Sequence, residues 1–201
     1  MSSPSASSKV ASINVVPAQQ RENAVATLLL AFATDPMARW SMPDPRVYLT
    51  HFPALIRAFA GNAFEAATAH ATDGFSAAAL WLAPGSHPDD EALIGTLEKV
   101  MPASRFAEGG AVFEQMASFH PQEPHWYLPL IGVDPAQQGK GLGSALMLHA
   151  LAECDATGTP AYLESSNPTN IPFYQKHGFV VMGEIQSGSS PTMYPMLRPA
   201  A

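Results

Sequence analysis

The sequence predicts a mixed α+β domain in which a sheet of about six to seven strands is flanked by helices. Three observations support this fold class. The chain has 201 residues, of which 47% are hydrophobic, so it is long enough to bury the core of one domain. A turn signal, Asp73-Gly74, separates two short strand-like runs in the first half. The second half alternates strand-like and helix-like segments.

The first half predicts a strand, two helices and a hairpin behind a polar tail. Residues 1–10 are Ser-rich and are expected to form a disordered tail, with a single domain over residues 11–201. The segment SINVVP is a predicted strand. A helix is predicted over AQQRENAVATLLLAFATDP, ending at the Asp35-Pro36 step, and a second over YLTHFPALIRAFAGNAF. The hairpin lies in ATAHATDGFSAAALWLAP.

Between residues 84 and 124 the pattern changes from strands to helices and loops. The helical candidates are DDEALIGTLEKVM and GGAVFEQMASF, and the whole segment is rich in Met and Phe. We therefore expect a helical insertion that forms one wall of a substrate pocket.

The second half begins with a strand, HWYLPLIGV, that contains Pro129. Proline cannot donate to a strand ladder, so Pro129 indicates a strand edge or a bulge. A glycine-rich loop follows, and then the helix LGSALMLHALAECDA, the strand PAYLESS, a short helix in NIPFYQKHGF and closing strands near FVVMGEIQ and TMYPMLR.

The amino-acid composition limits the classes of molecule that the protein is expected to bind. A net charge of -7, from 10 Lys and Arg against 17 Asp and Glu, argues against a nucleic-acid surface and is easier to reconcile with a cationic small molecule. The apolar runs are too short to span a membrane. The single cysteine, Cys154, allows no internal disulfide and no metal cluster, so a reducing compartment, the cytoplasm, is expected.

The stretch VDPAQQGKGLGSALM places glycines at 139, 141 and 143 directly before an apolar helix. A dinucleotide fingerprint fails because Ser144 stands where its third glycine belongs, and an ATPase-type phosphate loop fails because Asp134 stands where its first glycine belongs. A helix N-terminus with unpaired amide hydrogens can still hold a phosphate, and glycines allow a close approach. The alternative is a tight turn in which the glycines serve only geometry.

A second motif lies in SSNPTNIPFYQKHGF. Asn170 is a predicted helix cap, Pro172 fits the first turn, and Gly178 follows the helix. Tyr174 lies inside this short helix. Taken alone, Tyr174 is interpreted as a core aromatic residue with a buried partner for its hydroxyl group.

Together these segments resemble the GNAT superfamily of acetyl-CoA-dependent N-acetyltransferases. The family motif Gln/Arg-x-x-Gly-x-Gly/Ala is met by Gln138, Gly141 and Gly143, and Tyr-x-x-x-Gly-Phe is met by Tyr174, Gly178 and Phe179. From about Glu123 to Phe179 the chain is most similar to puromycin N-acetyltransferase and its bacterial relatives, and a fainter likeness continues upstream.

The resemblance implies a twisted sheet that splays between its fourth and fifth strands, here 125–133 and 161–165. The pantetheine arm of acetyl-CoA lies in that wedge in the family and pairs with strand backbone. By this likeness the cofactor-binding residues are Ile131, Gly132, Val133, Gln138, Gly139, Lys140, Gly141, Leu142, Gly143, Ser144, Asn167, Asn170 and Phe173. No metal is expected.

Acetylation of an alkylamine needs a base, because an amine with a pKa near 10.4 is neutral in only about one molecule in a few thousand at pH 7. The resemblance assigns Tyr174 as the acid that protonates the sulfur of coenzyme A. Glu164 is interpreted either as the base or as a carboxylate with a structural partner. His120 and His125 are alternative bases or surface histidines. Direct transfer is expected, without an acyl group on Cys154.

The acceptor implied by the resemblance is a small-molecule primary amine, such as an aminonucleoside or another hydrophobic amine. Aromatic and methionine residues are candidates for its pocket or for the core: Phe32, Trp40, Met42, Phe113, Met116, Phe119 and Trp126. Relatives often form dimers, which leaves a homodimer open. A non-catalytic acyl-CoA sensor of the same fold is the alternative function.

Overall fold

The computed structural model describes residues 11–200, so the predicted tail at 1–10 lies outside the described residues. Within them, one sheet contains the strands β1 (Ile13–Val15), β2 (Ala69–Thr72), β3 (Ala77–Leu82), β4 (Trp126–Val133), β5 (Ala161–Ser165), β6 (Val180–Val181) and β7 (Tyr194–Arg198). The α-helices are α1 (Arg21–Ala31), α2 (Pro36–Ser41), α3 (Pro45–Ala60), α4 (Asp90–Val100), α5 (Ala103–Phe119), α6 (Leu142–Thr157) and α7 (Ile171–Lys176). None of these helices is long and apolar enough to cross a membrane.

The sheet has the order β1-β2-β3-β4-β5-β7-β6. Neighbouring strands run antiparallel except β4 and β5, which are parallel. The crossover between these two strands is α6, as a parallel connection requires. The predicted mixed α+β class, with its flanking helices, is confirmed.

The parallel strands β4 and β5 separate soon after they meet. They pair only at Trp126 with Ala161 and at Tyr127 with Tyr162. Beyond that point β4 remains paired with β3 as far as Val133, while its other edge has no partner strand in the described chain. The expected splay between the fourth and fifth strands is therefore present, and it leaves a wedge with exposed strand backbone on one side.

Pro129 lies where the strands separate. In the ladder between β3 and β4, Leu80 pairs with Leu130 and Leu82 pairs with Tyr127, so β4 contains one extra residue across this step. Proline has no N–H to donate, and a bulge is one of the few places where a sheet tolerates it. The predicted bulge is confirmed.

Two helices begin at Asp-Pro steps. Asp35 accepts a hydrogen bond from the backbone of Ala38 at the start of α2, and Asp44 accepts two such bonds at the start of α3. Proline fits the first helical position because its missing N–H is not needed there. The Asp35-Pro36 step thus ends the α1 region as predicted and also starts a short helix, α2, that the sequence pattern did not predict.

The two faces of the sheet are buried against different helices. Side chains alternate along each strand, so Leu80 and Leu82 of β3 join the core beneath α1 and α3, while Trp81 joins the core beneath α6. On β5, Tyr162 joins the core beneath α1 and α3, and Leu163 joins the core beneath α6. Side chains on the α1 and α3 face, including Tyr127, form the floor of the cavities described below.

Two local predictions in the second half were wrong. Asn170 makes no capping hydrogen bond, because its backbone is already helical after a 3-10 turn at 168–170, and Asn167 instead caps that turn through the N–H of Thr169. The predicted strand FVVMGEIQ is shorter than expected. Only Val180–Val181 joins the sheet, followed by an isolated bridge between Ile185 and Met193.

Gly132 allows α1 to lie close against β4. A Cβ atom at this position would lie 2.5 Å from Cβ of Ala31 and 3.2 Å from Cδ2 of Leu28. We therefore expect Gly132→Ala to lower the free energy of unfolding by about 1–3 kcal/mol, as overpacking typically does. Urea unfolding monitored by circular dichroism would measure this loss.

Gly95→Ala on α4 is the matched control, because nothing lies within 4 Å of its added Cβ atom. That variant should be neutral or more stable by up to about 1 kcal/mol. A free energy of unfolding for Gly132→Ala equal to that of the wild type would contradict the close approach of α1 to β4.

Candidate active site

The wedge between β4 and β5 opens into a cavity of about 480 Å³. It is bounded by the free edge of β4, the loop before α6, α7 and the end of α1. The predicted residues that line it are Ile131, Gly132, Val133, Gln138, Gly139, Gly141, Leu142, Gly143, Ser144, Asn167, Asn170, Phe173 and Tyr174. The fold thus gathers at one cavity residues that the sequence places in three separate segments.

The loop before α6 presents a row of unpaired backbone donors. Gly139 and Gly141 have φ angles of +76° and +78°, which favour glycine. Within residues 11–200, the N–H groups from Gly139 to Ser144 make no hydrogen bond, and the first one used is that of Ala145, to the carbonyl group of Gly141. Such a concave row at a helix N-terminus attracts anionic oxygens.

Phe173 packs across the first turn of α6. A Cβ atom at Gly143 would lie 3.5 Å from the Phe173 ring and 3.6 Å from Val133, which is ordinary contact distance. The Phe173 ring also meets that of Tyr174 edge to face, with centroids 5.2 Å apart. Phe173 therefore forms a wall between the donor loop and Tyr174.

Lys140 is placed differently from the other predicted loop residues. Its Nζ donates to Oε1 of Gln137 at 2.6 Å, and the side chain does not line the cavity. The row of loop amides therefore does not depend on this cation.

Tyr174 lies on α7 and is only 8% exposed. Burial, and secondarily the negative charge of Asp35, raise the pKa of the Tyr174 hydroxyl group above its usual value. Within residues 11–200 this hydroxyl group makes no hydrogen bond, although its residue lines the wedge cavity. It is therefore a protonated donor that faces the cavity at neutral pH.

Asp35 is a site residue that the sequence analysis did not identify. It lines both the wedge cavity and a second, apolar cavity, so it lies where the two meet. One carboxylate oxygen accepts from the backbone of Ala38 and the other from Oγ of Ser166, at 3.0 and 2.5 Å. Burial raises the pKa of the Asp35 carboxyl group, and the two hydrogen bonds oppose that shift.

The apolar cavity continues from Asp35 between α3, α4, α5 and β4. Its larger part has a volume of about 660 Å³, within the range of small-molecule sites. Both parts are lined by Phe59, Leu97, Met101, Gly109, Phe113, Met116, Tyr127 and Glu164. Two helices of the 84–124 segment, α4 and α5, therefore form much of this wall.

The aromatic and methionine candidates divide between this cavity and the core. Those that line the cavity are Phe32, Trp40, Phe113 and Met116. Met42 is fully buried in the core, Trp126 packs on the opposite face of the sheet, and Phe119 packs against core residues.

Glu164 belongs to the apolar cavity and not to the wedge. Its side chain is 3% exposed and its Oε1 lies 3.9 Å from Nδ1 of His120. Burial, and secondarily the Glu164 carboxylate, raise the pKa values of Tyr127 and Tyr162. The Tyr162 hydroxyl group is buried without a hydrogen-bond partner. Glu164 therefore places a carboxyl group in a weakly polar region where electrostatic interactions are strong.

The fold and this pair of cavities define an acyl-transferase type of architecture, and comparison with known families agrees. The model of the acetyltransferase (GNAT) family matches residues 55–179, which is more than half of the chain. The chain belongs to the GNAT acetyltransferase family, whose members use acetyl-CoA.

Known proteins of similar length support this membership. The chain is 28% identical to an uncharacterized N-acetyltransferase of Schizosaccharomyces pombe, across 85% of this chain and 74% of that protein. A Corynebacterium glutamicum structure, described as histone acetyltransferase HPA2 and related acetyltransferase, is 26% identical with a TM-score of 0.70 and covers 96% of this chain and 98% of its own. Arylalkylamine N-acetyltransferase 2 from Aedes aegypti shares the fold at 12% identity, with a TM-score of 0.63 over 95% of this chain and 99% of its own.

Replacing Asp35 with asparagine tests its buried charge. Asparagine can cap α2 equally well and can donate to Ser166, but it does not ionise. Because the folded-state pKa of Asp35 is raised, the wild type loses stability as the pH rises from the unfolded-state value of about 4 through the folded-state value.

The stability of Asp35→Asn relative to the wild type should therefore increase between pH 4 and pH 7, as measured by urea unfolding at both values. A difference that stays constant or shrinks with rising pH would show that Asp35 is not a desolvated carboxylate. Asp44→Asn, at the exposed cap of α3, is the control.

Proposed function

We propose that this protein is an acetyl-CoA-dependent N-acetyltransferase that acts directly on a primary amine of a small molecule. The observation that carries the proposal is the continuity of the site. A wedge with unpaired backbone donors leads past Tyr174 and Asp35 into an apolar cavity that contains Glu164. This arrangement supports a path that runs from an anion site past an acid to a carboxylate.

The wedge fits a long ligand that carries a pyrophosphate and amide groups. Amides from Gly139 to Ser144 would hold the pyrophosphate, and the free edge of β4 at Ile131 to Val133 would pair with the pantetheine amides. Gln138, Asn167, Asn170 and Phe173 line the same cavity and complete the proposed site. Bound acetyl-CoA supplies an activated acyl group whose thiol leaves when the amine attacks.

Tyr174 is the proposed acid. Its raised pKa keeps the hydroxyl group protonated at neutral pH, so Tyr174 can donate a hydrogen bond to the sulfur as negative charge develops on it and the thiol leaves. The buried position of Tyr174 also keeps water from competing for the proton.

Glu164 is the proposed base and Asp35 the proposed charge that attracts the ammonium group. Both oxygens of Asp35 already accept hydrogen bonds from groups that hold them in place. Glu164 lines the acceptor cavity beside the hydroxyl groups of Tyr127 and Tyr162, and its Oε1 lies 3.9 Å from Nδ1 of His120, which can receive a proton from it. Direct transfer is favoured because burial of Cys154 raises its thiol pKa to about 11, and Cys154 packs from α6 into the core and lines none of the cavities.

The proposed acceptor is an amine with a hydrophobic body. The walls of the apolar cavity are aliphatic and aromatic, and Phe106 and Ile94 at its rim are 43% and 52% exposed. A cationic head near Asp35 and Glu164 with an apolar tail toward α4 and α5 matches this distribution. Aminonucleosides such as puromycin are one member of the class. The same proposal includes a cytoplasmic location and assembly as a homodimer.

Thiol release from acetyl-CoA across an amine panel tests the function. The panel contains puromycin, arylalkylamines, linear polyamines, aminoglycosides and short peptides. We expect turnover with hydrophobic monoamines and much weaker turnover with polyamines. If acetyl-CoA raises the melting temperature but no amine releases thiol, the sensor alternative replaces the enzyme, and if acetyl-CoA does not bind, both are wrong.

Tyr174→Phe removes the proposed acid and keeps the ring. Turnover should fall by roughly 10- to 1,000-fold, the range typical of general acid catalysis, with little change in melting temperature. Tyr194→Phe on β7 lines none of these cavities and serves as the control. A loss below about threefold would return Tyr174 to a packing role.

A further inference from the structure

Acetylation of an ammonium group releases a proton, and the fold must let that proton leave. A protonated amine and acetyl-CoA give an amide, a free thiol and one proton. If Glu164 takes the amine proton, as the proposed function holds, it must lose that proton before the next turnover. Its side chain is 3% exposed, so direct loss to bulk water is obstructed.

Two histidines connect Glu164 to the surface. His120 follows α5, and its Nδ1 lies 3.9 Å from Oε1 of Glu164. On the other side of the same ring, Nε2 of His120 lies 3.0 Å from Nε2 of His125. Nδ1 of His125 in turn lies 2.7 Å from the carbonyl oxygen of Glu123. The three side chains form a continuous row from the cavity outward.

The contacts determine where the protons are in the neutral pair. A carbonyl oxygen only accepts, so Nδ1 of His125 must carry a hydrogen and its Nε2 must be the acceptor. Nε2 of His120 therefore donates to His125. The one ring nitrogen left with a free lone pair is Nδ1 of His120, which faces Glu164.

We propose that His120 and His125 form a proton relay that returns Glu164 to its charged form after each turnover. The O–H bond of protonated Glu164 breaks as an N–H bond forms at Nδ1 of His120, through a carboxylate rotation or one bridging water. His120 then passes its Nε2 proton to Nε2 of His125. His125 releases its Nδ1 proton to water, which leaves a hydrogen on Nδ1 of His120 and on Nε2 of His125. Water that reaches each ring then takes that hydrogen and supplies one to the other nitrogen, which restores the starting tautomers.

The surroundings favour release of the proton to water. Burial lowers the pKa of His125, so His125 is neutral at pH 7 and readily gives up a proton that it has received. The tyrosines whose rings touch His120, Tyr127 and Tyr162, keep their protons because their pKa values are raised. The nearby charges come from Glu164 itself, from His87 before α4 and from Asp90 of α4.

The His120 side chain is 29% exposed and His125 is half-buried, so solvent reaches both rings of the pair. His120 also ends α5, but it does so through its backbone N–H to the carbonyl group of Met116. Replacement of the imidazole ring therefore leaves the helix end intact. The ring does pack against Tyr127 and Tyr162, so the melting temperature of each variant is measured beside its activity.

The variants His120→Gln and His125→Gln test the relay, with kcat measured from pH 5.5 to pH 9 on the best amine. The wild type should gain activity as the pair loses its extra proton with rising pH. Each variant should lose that rising limb and about 10- to 100-fold in kcat at pH 7, with little change in KM for acetyl-CoA. Imidazole in the buffer should restore part of the activity of His120→Gln. Glu164→Gln should lose activity that imidazole does not restore.

His149→Gln on the exposed face of α6 is the matched control and should leave the pH profile unchanged. A wild-type kcat and pH profile for His120→Gln would overturn the relay while the proposed function stands. Lower activity with an unchanged rising limb and no imidazole rescue would reduce the pair to a structural role. If the wild type releases no thiol with any amine, the proposed function and the relay both fail.

Discussion

The separation of β4 from β5 is the constraint on which the rest of the site depends. Two residue pairs hold the strands together, and then the extra residue at Pro129 changes the pleat of β4. Because β3 still supports the other edge of β4, the strand keeps its shape while its free edge faces a cavity. The helix α6, which links the two strands, begins at the same end of this wedge. A backbone edge and a helix N-terminus therefore meet in one cavity, and among residues 11–200 no Lys or Arg side chain lines it.

The chemistry of the site depends on buried polar groups at the junction of two cavities. Tyr174 keeps its proton because it is desolvated, and Asp35 is fixed by two hydrogen bonds. Glu164 lines an apolar cavity, where a cationic amine would interact with it strongly. The His120–His125 pair connects that carboxylate to solvent. An acidic protein of this kind can bind an anionic donor through amides and a cationic acceptor through carboxylates.

Local patterns predicted much of this arrangement. The glycine positions, the bulge at Pro129 and the alternation of strands and helices follow from short-range rules. Each of the two family motifs is also a continuous stretch of sequence. Asp35 was missed because a helix-stop signal explained it fully until the fold brought it to Ser166, 131 positions away. Similarly, the sequence could not divide the aromatic residues between core and cavity. Phe113 and Phe119 lie on the same helix, and only tertiary packing places the first in the cavity wall and the second against the core.

The most direct test of the account is amide hydrogen exchange with and without coenzyme A. The backbone amides of Gly139 to Ser144 and the free edge of β4 from Ile131 to Val133 have no strand or helix partner on the wedge side. Coenzyme A should slow exchange at both segments, while α4 and α5 around the acceptor cavity change little. Protection confined to other segments, or no protection at concentrations that saturate binding, would contradict the assignment of the wedge as the donor site.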